Sequence, residues 1–396
     1  MFYKDFKGEK LSALGFGTMR LPVDGGGRID QKTFERMTDE AIDHGVNYFD
    51  TAWPYHGSMS EIACGIALGR HPRDRWNLAD KYPGHQHIPD LDPQKYFEAQ
   101  LRKCKVDYFD FYLMHNVCEN SIDVYRDADM LEYFIRQKEA GRIRHLGFST
   151  HADLPLLKEI LKMWEGQMEF CQIQLNYLDW TLQNARAKCR LLDEAGLPIW
   201  VMEPVHGGSL ATLPEEQAAR LKAIRPDASI ASWTFRWLQA RPDVVVTLSG
   251  MSDPGQLADN LATYGKEDPV SPEESDLLLD IAEKIKGGVP CTKCRYCVEE
   301  CPMELDIPRM MHLYNDFNYA TNYTVKMAVE ALPEGQRPDV CVGCGRCAAM
   351  CPQKIDIPGV MSALADKLAS VPTWKAECEE RNAGYAAFFK ETEITR

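Results

Sequence analysis

The chain has 396 residues, 45% hydrophobic and 10% aromatic, and a formal net charge of −14 at neutral pH. That is the make-up of a soluble globular protein with one large and one smaller domain, and no apolar run approaches the ~20 residues that span a bilayer. The negative balance repels phosphate backbones and anionic lipid, so neither nucleic acid nor membrane insertion is expected; the opening "MFYKDFKGEKLSALGFGTM" has no apolar stretch of signal-peptide length, which predicts a cytoplasmic protein.

Residues 1–265 alternate short β-rich runs with amphipathic helical runs. In chain order the strand candidates are "SALGFGTM", "NYFDTA", "WNLADK", "YFDFYLMH", "IRHLGFST", "FCQIQLNYL", "PIWVMEPV" and "VVVTLSGM". Between them lie helical patterns such as "KTFERMTDEAIDHG" and "PQKYFEAQLRKC". Strands alternating with helices eight times predict an α/β fold, a (β/α)8 TIM barrel, rather than an open sheet. No GxGxxG follows the first strand, so a Rossmann unit is not indicated.

A barrel of this kind carries its chemistry at the C-terminal ends of its strands, with phosphate groups near the loops after the seventh and eighth. The second strand runs into "FDTAWPYHG", the third into "LADKYPG" and the fourth into "YLMHN". Asp50, Tyr55, Lys81 and His115 should therefore converge on one mouth. "EPVHGGSL" follows the seventh strand and "SGMSDPGQLADN" the eighth, a turn into a helix whose amides can hold pyrophosphate.

These four residues at ordered strand ends resemble the catalytic tetrad of the aldo/keto reductases. The resemblance runs through all eight strands. It implies that a carbonyl and an alcohol are interconverted, with Tyr55 as general acid and base. Lys81 would lower the tyrosine pKa, Asp50 would hold the lysine charged, and His115 would direct the carbonyl oxygen. It also implies a nicotinamide cofactor, NADP or NAD, with the carboxamide at Ser149 and Gln172 and further contacts from Pro204, Gly207, Ser252 and Asn260. Two positions depart from the family pattern. Met202 stands where an aromatic ring is common, and Gly250 and Gln256 stand where a lysine and an arginine grip a 2′-phosphate, which leaves that phosphate without a charged partner. Trp53, His56 and Tyr82 are expected to line the substrate pocket. His85 and His87, in "GHQHIPD", read as a solvated loop.

Of the fourteen cysteines, Cys64, Cys104, Cys118, Cys171 and Cys189 lie in periodic apolar segments and read as small buried hydrophobes, and Cys378 has no evident role. The other eight form two runs, "CTKCRYCVEECP" and "CVGCGRCAAMCP". The spacing C-x2-C-x2-C-x3-C-P is that of bacterial [4Fe–4S] sites, whose fourth cysteine crosses to the other cube. One cube is thus expected on Cys291, Cys294, Cys297 and Cys351, and the other on Cys341, Cys344, Cys347 and Cys301. This half resembles helical dicluster ferredoxin domains, and the whole resembles a branch of the aldo/keto reductases that carries one. The expected organisation is a barrel over 1–265, a linker helix over 266–285, a mainly α-helical dicluster ferredoxin-like domain over 286–365 and a tail over 366–396.

Three functional readings stay open at this point. The clusters relay electrons between the barrel and a ferredoxin-like partner while a small-molecule carbonyl or alcohol turns over. Alternatively they are structural or docking elements on an ordinary NAD(P)H-dependent reductase, or the chain is a non-catalytic partner subunit.

Overall fold

The computed structural model describes residues 1–291, 293–319 and 323–382. Eight parallel strands close into a barrel: β1 Leu14–Gly17, β2 Tyr48–Asp50, β3 Asn77–Tyr82, β4 Phe109–Val117, β5 Ile143–Thr150, β6 Cys171–Gln174, β7 Ile199–Met202 and β8 Val244–Gly250. An antiparallel hairpin, Tyr3–Phe6 with Glu9–Ser12, precedes them. It sends Phe6 and Leu11 into the barrel interior.

The period of two along each strand decides which side chains reach the interior. Ala79, Phe111, Leu113, Phe170, Trp200, Val246 and Leu248 fill the inside, whereas their neighbours Leu78, Tyr112, Met114, Cys171 and Val201 pack outward against the helices. Counting on in the same phase, Asp50, Lys81, His115, Ser149, Gln172, Met202 and Gly250 all belong to the inward set, at the C-terminal ends of their strands. Tyr82 is one residue out of phase. It lies in the helix layer with Phe134 and Tyr125, so its expected place in the substrate pocket is corrected by the strand's own alternation.

Helix Pro272–Ile285, expected as a linker, belongs to the barrel's outer layer. Its N-terminus is closed by a capping box from Ser271 and Glu274, and Leu278, Ile281 and Ala282 are buried in the barrel's core. The eight-cysteine segment then builds a small helical body around a second core. Helices Ile307–Tyr319 and Ile357–Ala369 contribute Met310, Met311, Phe317, Met361 and Leu364 to it. Residues 374–382 form a last helical stretch. No helix among the described residues is long and apolar enough to cross a membrane.

Gly65 tests the packing beneath the mouth. A Cβ there would come within 2.7 Å of the Cys104 carbonyl carbon and oxygen, main-chain atoms that cannot swing away. Gly65→Ala is expected to cost about 1–3 kcal/mol in chemical denaturation, because helix Ser60–Leu68 must move off helix Pro93–Cys104.

Candidate active site and cysteine module

At the centre of the mouth, Lys81 Nζ donates to Asp50 Oδ1 at 2.5 Å and to the Thr51 carbonyl at 2.7 Å. Both side chains are almost fully enclosed. Burial is the largest single influence on Lys81 and would discharge it, but Asp50, Tyr55 and Asp80 together raise the lysine pKa; burial raises Asp50 in turn, partly offset by Lys81. Lys81 Nζ lies 5.1 Å from the centre of the Tyr55 ring, and that ring meets His115 edge-on at 5.9 Å.

The tyrosine behaves differently from the family expectation. Lys81 does pull its pKa down, but burial is the larger influence, and Asp50 and Glu203 add to it, so the hydroxyl is pushed up to about 12. Tyr55 is therefore held as the protonated acid at neutral pH. His115 is pushed well below its ordinary value by burial, then by His85 and Lys81, and is neutral. Its Nδ1 is buried without a hydrogen-bond partner.

His85 is no solvated loop residue. It is 5% exposed, its ring lies 4.3 Å from that of His115, and burial holds its pKa down at about 3. Trp374, from the C-terminal helical stretch, stacks on the other side of His85 at 5.9 Å and donates Nε1–H to the His85 carbonyl at 2.8 Å. Asn382 donates to the Gln86 carbonyl at 3.3 Å, and Trp374, Cys378 and Met327 pack on Cys118 beside the fourth strand. Residues 374–382 thus cover the side of the mouth formed after β3 and β4. His87, by contrast, is exposed, with its Nε2 3.1 Å from Asn120 Oδ1.

The other expected pocket residues are committed elsewhere. His56 Nε2 accepts the Leu21 N–H at 2.9 Å and holds the loop after β1. Trp53 is fully buried against Tyr96 and Ala99, with Lys103 over its ring at 4.2 Å.

For a nicotinamide cofactor the two ends of the mouth give opposite answers. At the carboxamide end, Ser149 Oγ accepts the Asn116 N–H at 2.8 Å, Gln172 Nε2 lies 3.7 Å from Met202 Sδ, and Gln172 Oε1 is buried with no partner, ready for an amide donor. At the phosphate end the donors are already spent. The Gly207 N–H donates to the Glu203 carboxylate at 2.5 Å, the Gln256 N–H to Asp253 Oδ1 at 3.0 Å and the Ser252 N–H to Gln256 Oε1 at 2.8 Å. Asn260 Nδ2 donates to Ser249 Oγ at 2.9 Å, and Pro204 lies buried in the same loop as Glu203. Gly250 and Gln256 supply no cation. These residues fit the carboxamide and do not fit the phosphates.

The eight cysteines line two cavities. Cys291, Cys294, Cys297 and Cys351 surround one, with Met311 and Ile355; Cys301, Cys341, Cys344 and Cys347 surround the other, with Met361 and Leu305. Among the described residues no three Cys, His, Asp or Glu side chains converge as a single ion requires, and four soft thiols around a void suit a larger group. The five cysteines expected to be plain hydrophobes are all buried.

Helix Ile307–Tyr319 joins this body to the barrel. Arg309 pairs with Asp153 at 3.5 Å, and on the same face Asp316 is largely but not fully enclosed, its pKa raised well above the carboxylate range by burial and then by the charge of Asp179. Asp179 Oδ2 accepts from His206 Nδ1 at 2.9 Å and Gln174 Nε2 at 2.8 Å. Sequence reading missed this network and Trp374. Asp179 and His206 stand only a few residues beyond the ends of β6 and β7, a position that could have flagged them; Trp374 carries no motif or period.

Residues 13–281 match the Aldo/keto reductase family and residues 290–355 match the 4Fe-4S dicluster domain. The chain belongs to the aldo/keto reductase family and carries a C-terminal 4Fe-4S dicluster domain. It is 25% identical to the NADH-specific methylglyoxal reductase of Escherichia coli over 326 residues, 70% of this chain and 96% of that protein. The uncharacterized oxidoreductase YqkF of Bacillus subtilis is 25% identical over 289 residues, 63% of this chain and 86% of its own length. Among solved structures, the holo form of AKR11C1 from Bacillus halodurans matches 71% of this chain and 96% of its own at 26% identity, with a TM-score of 0.57. An aldo-keto reductase from Klebsiella pneumoniae in complex with NADPH shares the fold at 21% identity and a TM-score of 0.58, over 71% of this chain and 96% of its own.

The roof over the mouth is open to direct test. Trp374→Ala should destabilise the chain by about 3–5 kcal/mol, the usual cost of emptying a buried tryptophan site, and should speed amide hydrogen exchange in residues 84–87. Lys375→Ala, one residue on and exposed, should leave that exchange unchanged.

Proposed function

We propose that the chain interconverts a small-molecule carbonyl and the corresponding alcohol at the barrel mouth, and that its C-terminal domain exchanges the electrons with a ferredoxin-like partner. The observation that carries the reading is the inward set Asp50, Lys81 and His115 gathered around the protonated Tyr55. Reduction adds two electrons and two protons to the carbonyl. Tyr55 gives the oxygen its proton and recovers one from solvent, the two electrons arrive one at a time from the reduced partner, the carbon takes the second proton from solvent, and the Lys81 ammonium stabilises the tyrosinate left behind. Neutral His115 can hydrogen-bond the oxygen and fix its position without competing as an acid.

In this reading Cys291, Cys294, Cys297 and Cys351 hold one [4Fe–4S] cube, and Cys301, Cys341, Cys344 and Cys347 the other. Each bound cube would pass one electron at a time. The grouping of thiols around the two cavities supports this assignment. The side chains that bridge the domain to the mouth, Trp374 on His85 and Arg309 on Asp153, support a shared task over a detached docking module.

Tyr55→Phe should lower turnover by about 10²–10⁴-fold in both directions while the circular dichroism spectrum stays that of the parent. An active Phe variant would end the Tyr55 assignment. The titration of Tyr55 sets the sign of the pH dependence. Below about 12 the hydroxyl keeps its proton, so reduction should show no loss from this group between pH 7 and 10, whereas alcohol oxidation, which needs the tyrosinate, should climb with pH through that window. Initial rates in both directions across it check this. For the C-terminal domain, Cys294→Ser should roughly halve the iron and sulfide per chain and abolish turnover driven by a reduced one-electron carrier. Unchanged iron, or unchanged carrier-driven turnover, would count against the relay.

A further inference from the structure

The phosphate end of the barrel mouth is closed by the chain's own carboxylate. The loop after β7 runs Glu203, Pro204, Val205, His206, Gly207, Gly208, and four of these six residues have positive φ, at 54° for Glu203, 47° for His206, 66° for Gly207 and 100° for Gly208. Such backbone is natural for the two glycines and strained for a glutamate. Its effect is to fold the Glu203 side chain back over its own loop, where it takes the Gly207 N–H at 2.5 Å and lies 3.9 Å from Arg20.

In a barrel of this kind, the backbone amides after the seventh strand and the first turn of the helix after the eighth are where anionic phosphates settle. Here Glu203 takes the first position. Asp253 takes the second, as N-cap of helix Pro254–Tyr264. Arg20 is turned towards Glu203, and its stem packs where a side chain on residue 250 would start: a Cβ on Gly250 would sit 3.3 Å from Arg20 Cβ. Glycine at 250 and the placement of Arg20 therefore go together, and a lysine there would need Arg20 to move. Asn260 is turned inward onto Ser249. A pyrophosphate entering this end would meet one carboxylate on each of two loops, with Arg20 already turned to Glu203, and juxtaposed like charges repel.

We infer that Glu203 is a specificity-determining residue that excludes pyrophosphate-bearing dinucleotides from the barrel, so that the electrons for the reaction arrive through the C-terminal domain and not from a bound NADH or NADPH. This deepens the proposed function and rests on it only for where the electrons come from. The polar atoms of Ser149 and Gln172 are left to a neutral polar group, the substrate's own included.

The test uses the full chain with both clusters loaded, and titrates NADH, NADPH and ADP-ribose by calorimetry, a readout independent of turnover. The expected result for the parent is no saturation with any of the three up to about 1 mM. Glu203→Ser should bind NADH and ADP-ribose at least about tenfold more tightly, with the gain shrinking as salt is raised. Should the serine variant fold poorly, Glu203→Gln removes the charge with little change of shape and should gain in the same direction. Micromolar binding of NADH or NADPH by the parent would overturn the inference, and so would folded Glu203 variants that bind no better than the parent. Either result leaves the Tyr55→Phe experiment untouched, so a failure of Glu203 as gatekeeper and a failure of Tyr55 as acid are read separately.

Discussion

The site is organised around one buried ion pair, Lys81 with Asp50, which joins the ends of two neighbouring strands at 2.5 Å. Removing either partner would strand a charge in the barrel, a change that typically costs 3–5 kcal/mol, so the pair can be kept only as a unit. The structure beneath is arranged to hold it. Gln100 donates to the Lys81 carbonyl at 3.0 Å and to Glu61 at 3.0 Å, while accepting from the Tyr112 hydroxyl at 2.6 Å. Glu61 is in turn paired with Lys103, which also reaches Ser58 in the loop that carries Tyr55. A second buried ion pair, one layer below the mouth, thus fixes both the strand of the lysine and the loop of the tyrosine. The geometry of the candidate site is a property of the helix layer as much as of the strand ends.

The pair also explains why Tyr55 is an acid and not an anion. A cation beside a phenol favours tyrosinate, yet the same enclosure that sharpens the attraction penalises the charge more, and Asp50 neutralises most of what Lys81 offers. The balance leaves a hydroxyl that keeps its proton at neutral pH. The enclosure is partly the work of the C-terminal domain, since Trp374 covers His85 and His85 covers His115. Two rings deep, the last helical stretch contributes to the dryness of a site whose residues lie some three hundred positions earlier in the chain.

The barrel, the inward phase of its site residues and the two cysteine runs were legible in the sequence because each rests on local periodicity or spacing. Lys81 and Tyr82 are adjacent, and the period of two alone separates a mouth residue from a core residue; the motif "LADKYPG" suggested the first and misled on the second. His85 was misread for a different reason. Its loop is polar and short, which reads as solvated, and only the packing of Trp374, far along the chain, buries it. The helix Pro272–Ile285 looked like a linker because its flanks are rich in proline and charge, while its own buried stripe of Leu278, Ile281 and Ala282 belongs to the barrel. Local alternation decided Tyr82, and packing from far along the chain decided His85.

The two halves of the molecule divide the rim of the mouth between them. Contacts from the C-terminal domain fall on the loops after β3, β4 and β5, through His85, Asn116, Cys118 and Asp153, and the charge of Asp316 is felt at Asp179 and His206 after β6 and β7. The loops after β8 and β1 are exposed, at Met19, Arg20 and Ser252. An ordinary dinucleotide would lie along the arc from β7 to β1, and there the chain presents Glu203 and Asp253 instead of unpaired amides. If Tyr55 gives the proton and the C-terminal domain the electrons, as proposed, no hydride carrier is needed on the opposite rim, and the carboxylates on the phosphate loops are the physical counterpart of the roof over His85.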